Sequence, residues 1–128
     1  MSYRRATVTA FGGPEVMRVT DEPSVPEPGP GEVRLAVEAA TASYTDTMVR
    51  KGIYPPLLLE RPPITPGYDV VGRVAERGAG VTELAVGQRV AGLVQTGGHA
   101  EQLCLPPRWR RCPARSTRRR QRRSCWPG

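Results

Sequence analysis

The sequence predicts a mainly β fold, a small partly open barrel or sandwich with one or two short helices, followed by a disordered basic tail. Glycine and proline number 14 each in a chain of 128 residues, and this composition favours short strands and turns over long helices. Short segments of alternating apolar and polar residues are separated by turn signals, which is typical of β barrels and sandwiches. After Pro107, valine, leucine and isoleucine disappear from the chain.

Six strands are predicted in chain order: Arg4–Ala10, Val16–Val19, Glu32–Ala40, Asp69–Arg77, Gln88–Val94 and Ala100–Leu105. The third is the clearest, because Val33, Leu35 and Val37 alternate with charged residues, so that one face is buried and the other wet. The proline-rich stretch Val25–Gly31 predicts an extended connector. Ile53–Pro66 carries five prolines and predicts an irregular loop.

A short helix is predicted over Ser43–Lys51. Ser43 and Asp46 fit the capping-box pattern, in which each side chain reaches a free backbone N–H at the helix start. Asp46 and Arg50 stand four residues apart, a spacing that stabilises helices by about 0.3 kcal/mol. Gly52 is the expected left-handed stop.

The net charge of +7 lies entirely in the tail. Residues 1–107 hold 10 basic and 12 acidic residues, whereas residues 108–128 hold nine arginines and no acid. A segment of that composition buries too little apolar surface to offset the entropy of ordering it. We therefore predict a folded domain over residues 1–107 and a disordered tail over residues 108–128.

Two classes of protein are disfavoured by composition. The three cysteines, Cys104, Cys112 and Cys125, are odd in number and form no CxxC pair, which argues against a disulfide framework and a zinc site. No apolar run is long enough to span a membrane, and Met1–Arg5 lacks the features of a signal peptide. A cytoplasmic protein without a membrane partner is expected.

Five segments together form a pattern: Val33–Ala42, Tyr44–Tyr54, Thr65–Val74, Gly87–Val90 and Gly97–Glu101. In order and spacing, across about residues 4–106, they resemble the GroES-like domain of medium-chain dehydrogenases/reductases. The resemblance implies a GroES-like partly open barrel. Each segment alone is a weak signal, whereas five in the same order are a specific one.

The residues at the metal positions select a branch of that superfamily. Zinc alcohol dehydrogenases have cysteine where Ser43 stands and Gly-His-Glu where Gly67-Tyr68-Asp69 stands, and a catalytic zinc needs three protein ligands. The chain therefore resembles the zinc-free quinone oxidoreductases and enone reductases. That resemblance implies hydride transfer from NADPH to a conjugated carbonyl of a small quinone or enone, no zinc, and a homodimer as one arrangement.

The resemblance also assigns roles to residues. It implies that the nicotinamide is bordered by Tyr44, Thr45, Asp46 and Thr47, and that the substrate cleft is lined by Tyr54 and Met48. It identifies no certain catalytic residue. Three departures from the quinone-reductase pattern leave the substrate open, since that pattern often has asparagine at Ser43, tyrosine at Met48 and aspartate at Gln88.

Each of these residues also has a purely structural interpretation. Asp46 is equally a helix cap and partner of Arg50, and Ser43 a cap. Tyr54 either binds substrate or only covers the cleft. His99, the single histidine, occupies a place where the family often has tyrosine, and surface packing is its expected role.

The chain is not expected to bind a dinucleotide by itself. Gly78-Ala79-Gly80 mimics the start of the dinucleotide fingerprint, but Glu83 stands where the third glycine is needed, so a hairpin turn is predicted. In the family the chain leaves this domain, builds a Rossmann domain and returns to complete the first. Without those parts we expect very weak NADPH binding, no activity alone and an exposed apolar edge.

The tail has two interpretations. Arg118–Arg123, with Trp109 and Trp126 available for stacking, resembles an arginine-rich nucleic-acid-binding arm. Alternatively, one lysine against 18 arginines in the chain indicates GC-rich coding DNA, and a frameshift or truncation near Leu105 accounts for the change of composition. The second interpretation is favoured, and nucleic-acid binding by a small β domain is the alternative function.

Overall fold

The computed structural model describes residues 1–105 and a further strand at residues 109–111. Its strands are β1 Tyr3–Val8, β2 Met17–Glu22, β3 Val33–Ala40, β4 Asp69–Arg77, β5 Arg89–Leu93, β6 Gln102–Leu105 and β7 Trp109–Arg111. The α-helix is α1 Tyr44–Lys51, and 3-10 turns occupy Pro14–Val16 and Pro55–Leu57. No helix among the described residues is long and apolar enough to cross a membrane.

The strands form two antiparallel sheets. β1 and β2 pair with each other, and a five-stranded sheet has the order β6-β3-β4-β5-β7. Isolated bridges join Arg5 to Ala100 and Val8 to Ile64, so β1 lies against the loops of the larger sheet. The described strands do not close into a barrel, and the predicted mainly β, partly open architecture is confirmed.

The core lies on one face of the larger sheet. Its buried members are Val33, Leu35, Val70, Val74, Val81, Leu84, Val90 and Leu105. The alternation in β3 has the predicted effect, because Val33 and Leu35 are fully buried while Arg34 between them pairs with Glu76 at 3.2 Å. Full burial of such an aliphatic side chain stabilises the fold by about 1.5–3 kcal/mol.

The loops at one end of this sheet are tied together by backbone hydrogen bonds. Gly97 N–H donates to Thr65 O at 2.7 Å, and His99 N–H donates to Pro66 O at 2.9 Å. Gly98 N–H completes the set with a 3.1 Å bond to Gly67 O. The turn that leads into β4 and the loop that leads into β6 therefore form one unit next to the start of α1.

One prediction about the tail is wrong over three residues. Trp109–Arg111 pair with β5, although disorder was expected from Arg108 onward. The free edge of β5 offers unpaired N–H and C=O groups, and backbone pairing there needs no aliphatic side chain. The rest of the predicted tail, including Arg118–Arg123, lies outside the described residues.

Candidate functional site

The carboxylate of Asp46 joins three segments of the chain. Its Oδ2 accepts the backbone N–H of Ser43 at 2.8 Å, and its Oδ1 accepts the backbone N–H of Gly67 at 3.0 Å. His99 Nε2 lies 3.7 Å from Oδ2. The Asp46 side chain is 13% exposed, so these contacts are shielded from solvent and fix the first turn of α1.

The predicted capping box forms between Ser43 and Asp46. Asp46 accepts the Ser43 N–H at 2.8 Å, and the buried Ser43 side chain meets the backbone N–H of Asp46 in a looser contact that falls short of hydrogen-bond geometry. The predicted Asp46–Arg50 ion pair is wrong, because Arg50 Nε donates to Gly12 O at 3.1 Å. Asp46 instead accepts a hydrogen bond from the backbone N–H of Gly67.

Gly67 allows the close approach on which this arrangement depends. Its φ is +113°, and a Cβ built there would overlap the backbone nitrogen of His99 and the backbone of Gly98. A side chain at this position would therefore both strain the turn and push the two loops apart. The glycine thus brings its own N–H within reach of Asp46.

His99 packs at the surface against two other segments of the chain. Its side chain is 22% exposed, and Nε2 lies 3.0 Å from the carbonyl oxygen of Thr41. Thr41 is held from its other side by Asp69, whose Oδ1 accepts both the Thr41 N–H and the Thr41 hydroxyl. His99 therefore contacts the carbonyl of Thr41 and Asp69 its N–H and hydroxyl, so that the two side chains together fix the connector between β3 and α1.

The four residues predicted to border the nicotinamide separate into two kinds. Tyr44 is 76% exposed, and Thr45 is half-buried. Asp46 is turned inward and bonded as described, whereas the half-buried Thr47 donates from its hydroxyl to Tyr44 O, one turn back on the helix, at 2.6 Å. The open face at the start of α1 is thus formed by Tyr44 and Thr45, and the other two hold it.

Tyr54 lies beside Tyr68 at the start of the proline-rich loop. Partial desolvation, and then the neighbouring Tyr68 hydroxyl, raise the pKa of Tyr54 above 10.0. The loop that follows is apolar and open, with Leu59 93% exposed. Met48, the other residue predicted in the substrate cleft, is half-buried on α1.

A shallow groove of about 390 Å³ lies between β1 and the end of β3. Its apolar floor includes Val37, Ala39 and Ala40, and His99 forms part of its wall. The rim carries an exposed ion pair of Arg4 and Glu101 at 2.7 Å. Hydrogen bonding from Arg4 lowers the pKa of Glu101 below 4.5.

The residues at the family's metal positions are engaged elsewhere. Asp69 binds Thr41, and Tyr68 faces Tyr54. Within residues 1–105, no group of three histidine, cysteine, aspartate or glutamate side chains comes together. Gly78–Gly80 form a turn between β4 and Val81, as predicted, with Gly78 N–H donating to Glu32 O at 2.8 Å.

The model of the alcohol dehydrogenase GroES-like domain matches residues 29–120. This chain belongs to that family. The matched range includes residues 108–120, so it extends beyond residue 106, where the resemblance described from the sequence ends.

Several known proteins are similar to this GroES-like chain. The rat synaptic vesicle membrane protein VAT-1 homolog is 37% identical over 107 residues, which are 80% of this chain and 25% of the relative. A Burkholderia 2-haloacrylate reductase is 39% identical, with coverages of 80% and 27%. A quinone oxidoreductase of Lama guanicoe is 36% identical, with coverages of 77% and 29%. The chain therefore spans about a quarter of the length of these relatives.

Solved structures agree with the fold. Human VAT-1 homolog-like protein superposes with a TM-score of 0.82 at 30% identity, covering 91% of this chain and 37% of that one. A mycobacterial protein solved in complex with NADPH superposes with a TM-score of 0.75 at 34% identity, covering 87% and 34%.

Sequence reasoning missed two residues of this GroES-like site. The sequence identifies Gly67 only as part of a motif, and for His99 it predicts surface packing without a contact partner. The signal for Gly67 was the Gly67-Tyr68 step before a strand, where a glycine is typical of a close backbone approach. Nothing in the sequence indicated that His99 meets Asp46, because the two residues are 53 positions apart in the chain.

Proposed function

We propose that this chain is the amino-terminal, substrate-side part of an NADPH-dependent oxidoreductase that reduces quinones or enones. Family membership and the names of the relatives support the class, and the NADPH-bound mycobacterial structure supports the cofactor. The observation that carries the proposal is the exposed ring of Tyr44 next to an anchored Asp46. An open aromatic face on a fixed helix start is suited to contact a flat cofactor ring.

The residues at the start of α1 fit a nicotinamide as neighbours rather than as its anchor. Tyr44 and Thr45 offer an uncharged, accessible surface. Asp46 and Thr47 act through structure, by holding the backbone of that turn. The cofactor, when bound, supplies the hydride. The described glycine turn at Gly78–Gly80 offers no helix start for the phosphates, so we propose that this chain alone binds NADPH very weakly.

Tyr54 and Met48 remain the proposed lining of the substrate cleft. A tyrosine hydroxyl is protonated at neutral pH, so that of Tyr54 is able to donate a hydrogen bond to a carbonyl oxygen. Such a bond polarises a conjugated carbonyl and stabilises the negative charge that hydride addition places on its oxygen. The exposed leucines of the following loop suit the apolar part of a quinone or enone.

We propose that the reaction proceeds without zinc. Zinc in enzymes prefers thiolate, imidazole and carboxylate ligands. The corresponding positions here hold the hydroxyl of Ser43, the phenol of Tyr68 and the carboxylate of Asp69, which binds Thr41. That donor set fits a hydrogen-bonding role better than a metal centre.

The groove beside β3 suits the proposed incompleteness of the domain. Its apolar floor is open, and Val19 on neighbouring β2 is 73% exposed. We propose that, in a longer form of the protein, further chain covers this surface. The resemblance also leads us to propose a cytoplasmic protein, with a homodimer as one assembly. We propose that the protein is active only when that further chain is present.

A reading of the gene in all frames beyond the codon for Leu105, followed by assays, tests the proposal. If another frame supplies a strand, a glycine-rich turn and a helix, the extended protein should oxidise NADPH with a quinone or an enone, and the chain described here should not. A frameshifted tail has to be reconciled with a family match that runs to residue 120. An extended protein without reductase activity would contradict the proposal.

The tail separates this function from the alternative, nucleic-acid binding. Nine arginines without an acidic residue favour contacts with phosphates, and such binding weakens steeply with salt. Removal of residues 108–128 should abolish salt-sensitive RNA or DNA binding if the alternative is right. Nanomolar binding that depends on the tail would replace the oxidoreductase proposal for this chain.

A further inference from the structure

We propose that His99 is a positioning residue for the open face of Tyr44 and Thr45. This inference rests on the proposed function. The imidazole contacts the connector that leads into α1 and approaches the carboxylate that fixes its first turn. We infer that it acts on the cofactor-bordering face through Thr41 and Asp46.

The neighbours of Nε2 determine where the imidazole carries its proton. Nε2 faces the Thr41 carbonyl at 3.0 Å and the Asp46 carboxylate at 3.7 Å. Both neighbours accept hydrogen bonds and neither donates. Nε2 must consequently carry a proton, which it donates to the carbonyl of Thr41.

The backbone of His99 is fixed by hydrogen bonds at both its N–H and its carbonyl. Its N–H donates to Pro66 O at 2.9 Å, and its carbonyl accepts the N–H of Ala6 in β1 at 2.8 Å. Gly67 leaves room for this approach because it has no Cβ. The imidazole thus projects from a rigid support, which is what a side chain that positions another segment requires.

Without the imidazole, the connector between β3 and α1 would lose a hydrogen bond at Thr41. Asp69 satisfies the N–H and the hydroxyl of Thr41, whereas His99 supplies the side-chain donor to its carbonyl. Removal of that donor would release one side of the connector two residues before Ser43. The Ser43–Asp46 hydrogen bond, and with it the presentation of Tyr44, would open more often.

Nuclear magnetic resonance of the full chain tests this proposal, and the single histidine makes the imidazole signal unambiguous. The neutral ring should be the Nε2–H tautomer. In His99→Phe, amide hydrogen exchange of Ser43 and Gly67 should accelerate about fivefold or more, the effect of losing one hydrogen bond. His99→Gln, which restores a side-chain donor, should recover most of the protection, and amides of the β3–β4 ladder should be unaffected in both variants.

The shifts that NADPH induces at the Tyr44 and Thr45 amides should shrink in His99→Phe and return in His99→Gln. An Nδ1–H tautomer would overturn the proposal even if both variants failed to fold. So would unchanged exchange in His99→Phe, or equal NADPH-induced shifts in that variant and the wild type. If millimolar NADPH shifts neither amide in the wild type, the proposed cofactor-bordering role of Tyr44 and Thr45 fails, and positioning for a cofactor is overturned with it. The tautomer and exchange results still decide whether the structural link exists, so the two failures are distinguishable.

Discussion

The carboxylate of Asp46 accepts the backbone N–H of Gly67, 21 residues further along the chain, at 3.0 Å. This hydrogen bond joins the start of α1 to the turn before β4. The same carboxylate holds the N–H of Ser43, so one side chain sets both the beginning of the helix and its distance from the sheet. The accessible face of Tyr44 is a consequence of that arrangement.

Replacement of Asp46 by asparagine should destabilise the domain by about 1–3 kcal/mol, because one of two backbone donors then faces an amide NH₂ group. Urea unfolding measures the change. Asp21→Asn, on exposed β2, is the matched control and should change stability by less than about 0.5 kcal/mol. Equal losses of unfolding free energy in the two variants would show that the hydrogen bonds of Asp46 do not stabilise the domain.

Replacement of Gly67 by alanine should be far more damaging than replacement of Gly80. Both glycines have positive φ, at +113° and +79°, but only the Cβ at Gly67 would meet neighbouring backbone. Gly80→Ala should cost about 1–2 kcal/mol from the left-handed conformation alone. Gly67→Ala should cost at least about 2 kcal/mol more, from overpacking and lost hydrogen bonds. Similar thermal unfolding of the two variants would contradict the proposed close approach.

The ion pair of Arg4 and Glu101 should make a small contribution to stability that depends on pH. Hydrogen bonding from Arg4 lowers the pKa of Glu101 in the folded state. The pair's contribution is therefore present above the ordinary carboxyl pKa and is lost as the pH falls through the lowered value. Carboxyl chemical shifts should show Glu101 titrating below 4.5, and higher in Arg4→Gln. Since both side chains are exposed, added salt should weaken the effect. Titration of Glu101 at the same pH in the wild type and in Arg4→Gln would show that Arg4 does not lower its pKa.

Tyr54 should ionise above 10.0 in the folded protein. Desolvation is the first cause and Tyr68 the second, so Tyr68→Phe should lower the pKa of Tyr54 without abolishing the shift. The raised pKa stabilises the fold at pH values below the unfolded tyrosine's pKa, and that stabilisation is lost as the pH rises through the folded value. Ultraviolet titration, with Tyr54→Phe to assign the signal and Tyr44→Phe as control, measures this. If Tyr68→Phe left the pKa of Tyr54 unchanged, Tyr68 would not contribute to the raised value.

Local patterns predicted much of the fold. The alternation around Val33 and Leu35 predicted β3 and its buried face, and the Ser43–Gly52 signals predicted α1 within one residue of its observed start. Strand pairing was not predicted, because it depends on contacts between distant segments. The three-residue strand at Trp109 was missed for the same reason, since its pairing with β5 owes nothing to apolar periodicity.

The site was predicted less completely than the fold. The pattern identified Asp46 as important but suggested Arg50 as its partner, because only neighbours on one helix are apparent from spacing. The observed partners, Gly67 and His99, reach Asp46 through the turn before β4 and the loop before β6. The division between the exposed Tyr44 and the inward Asp46 also required side-chain geometry.

The most direct test of the central claim is a titration of the ¹⁵N-labelled chain with NADPH, followed by amide chemical shifts. The account predicts small shifts in fast exchange, concentrated at Tyr44 and Thr45 and saturating only at millimolar cofactor. Shifts confined to surfaces away from α1 would contradict it. Micromolar binding by this chain would contradict the proposal that the phosphate-binding part lies outside it.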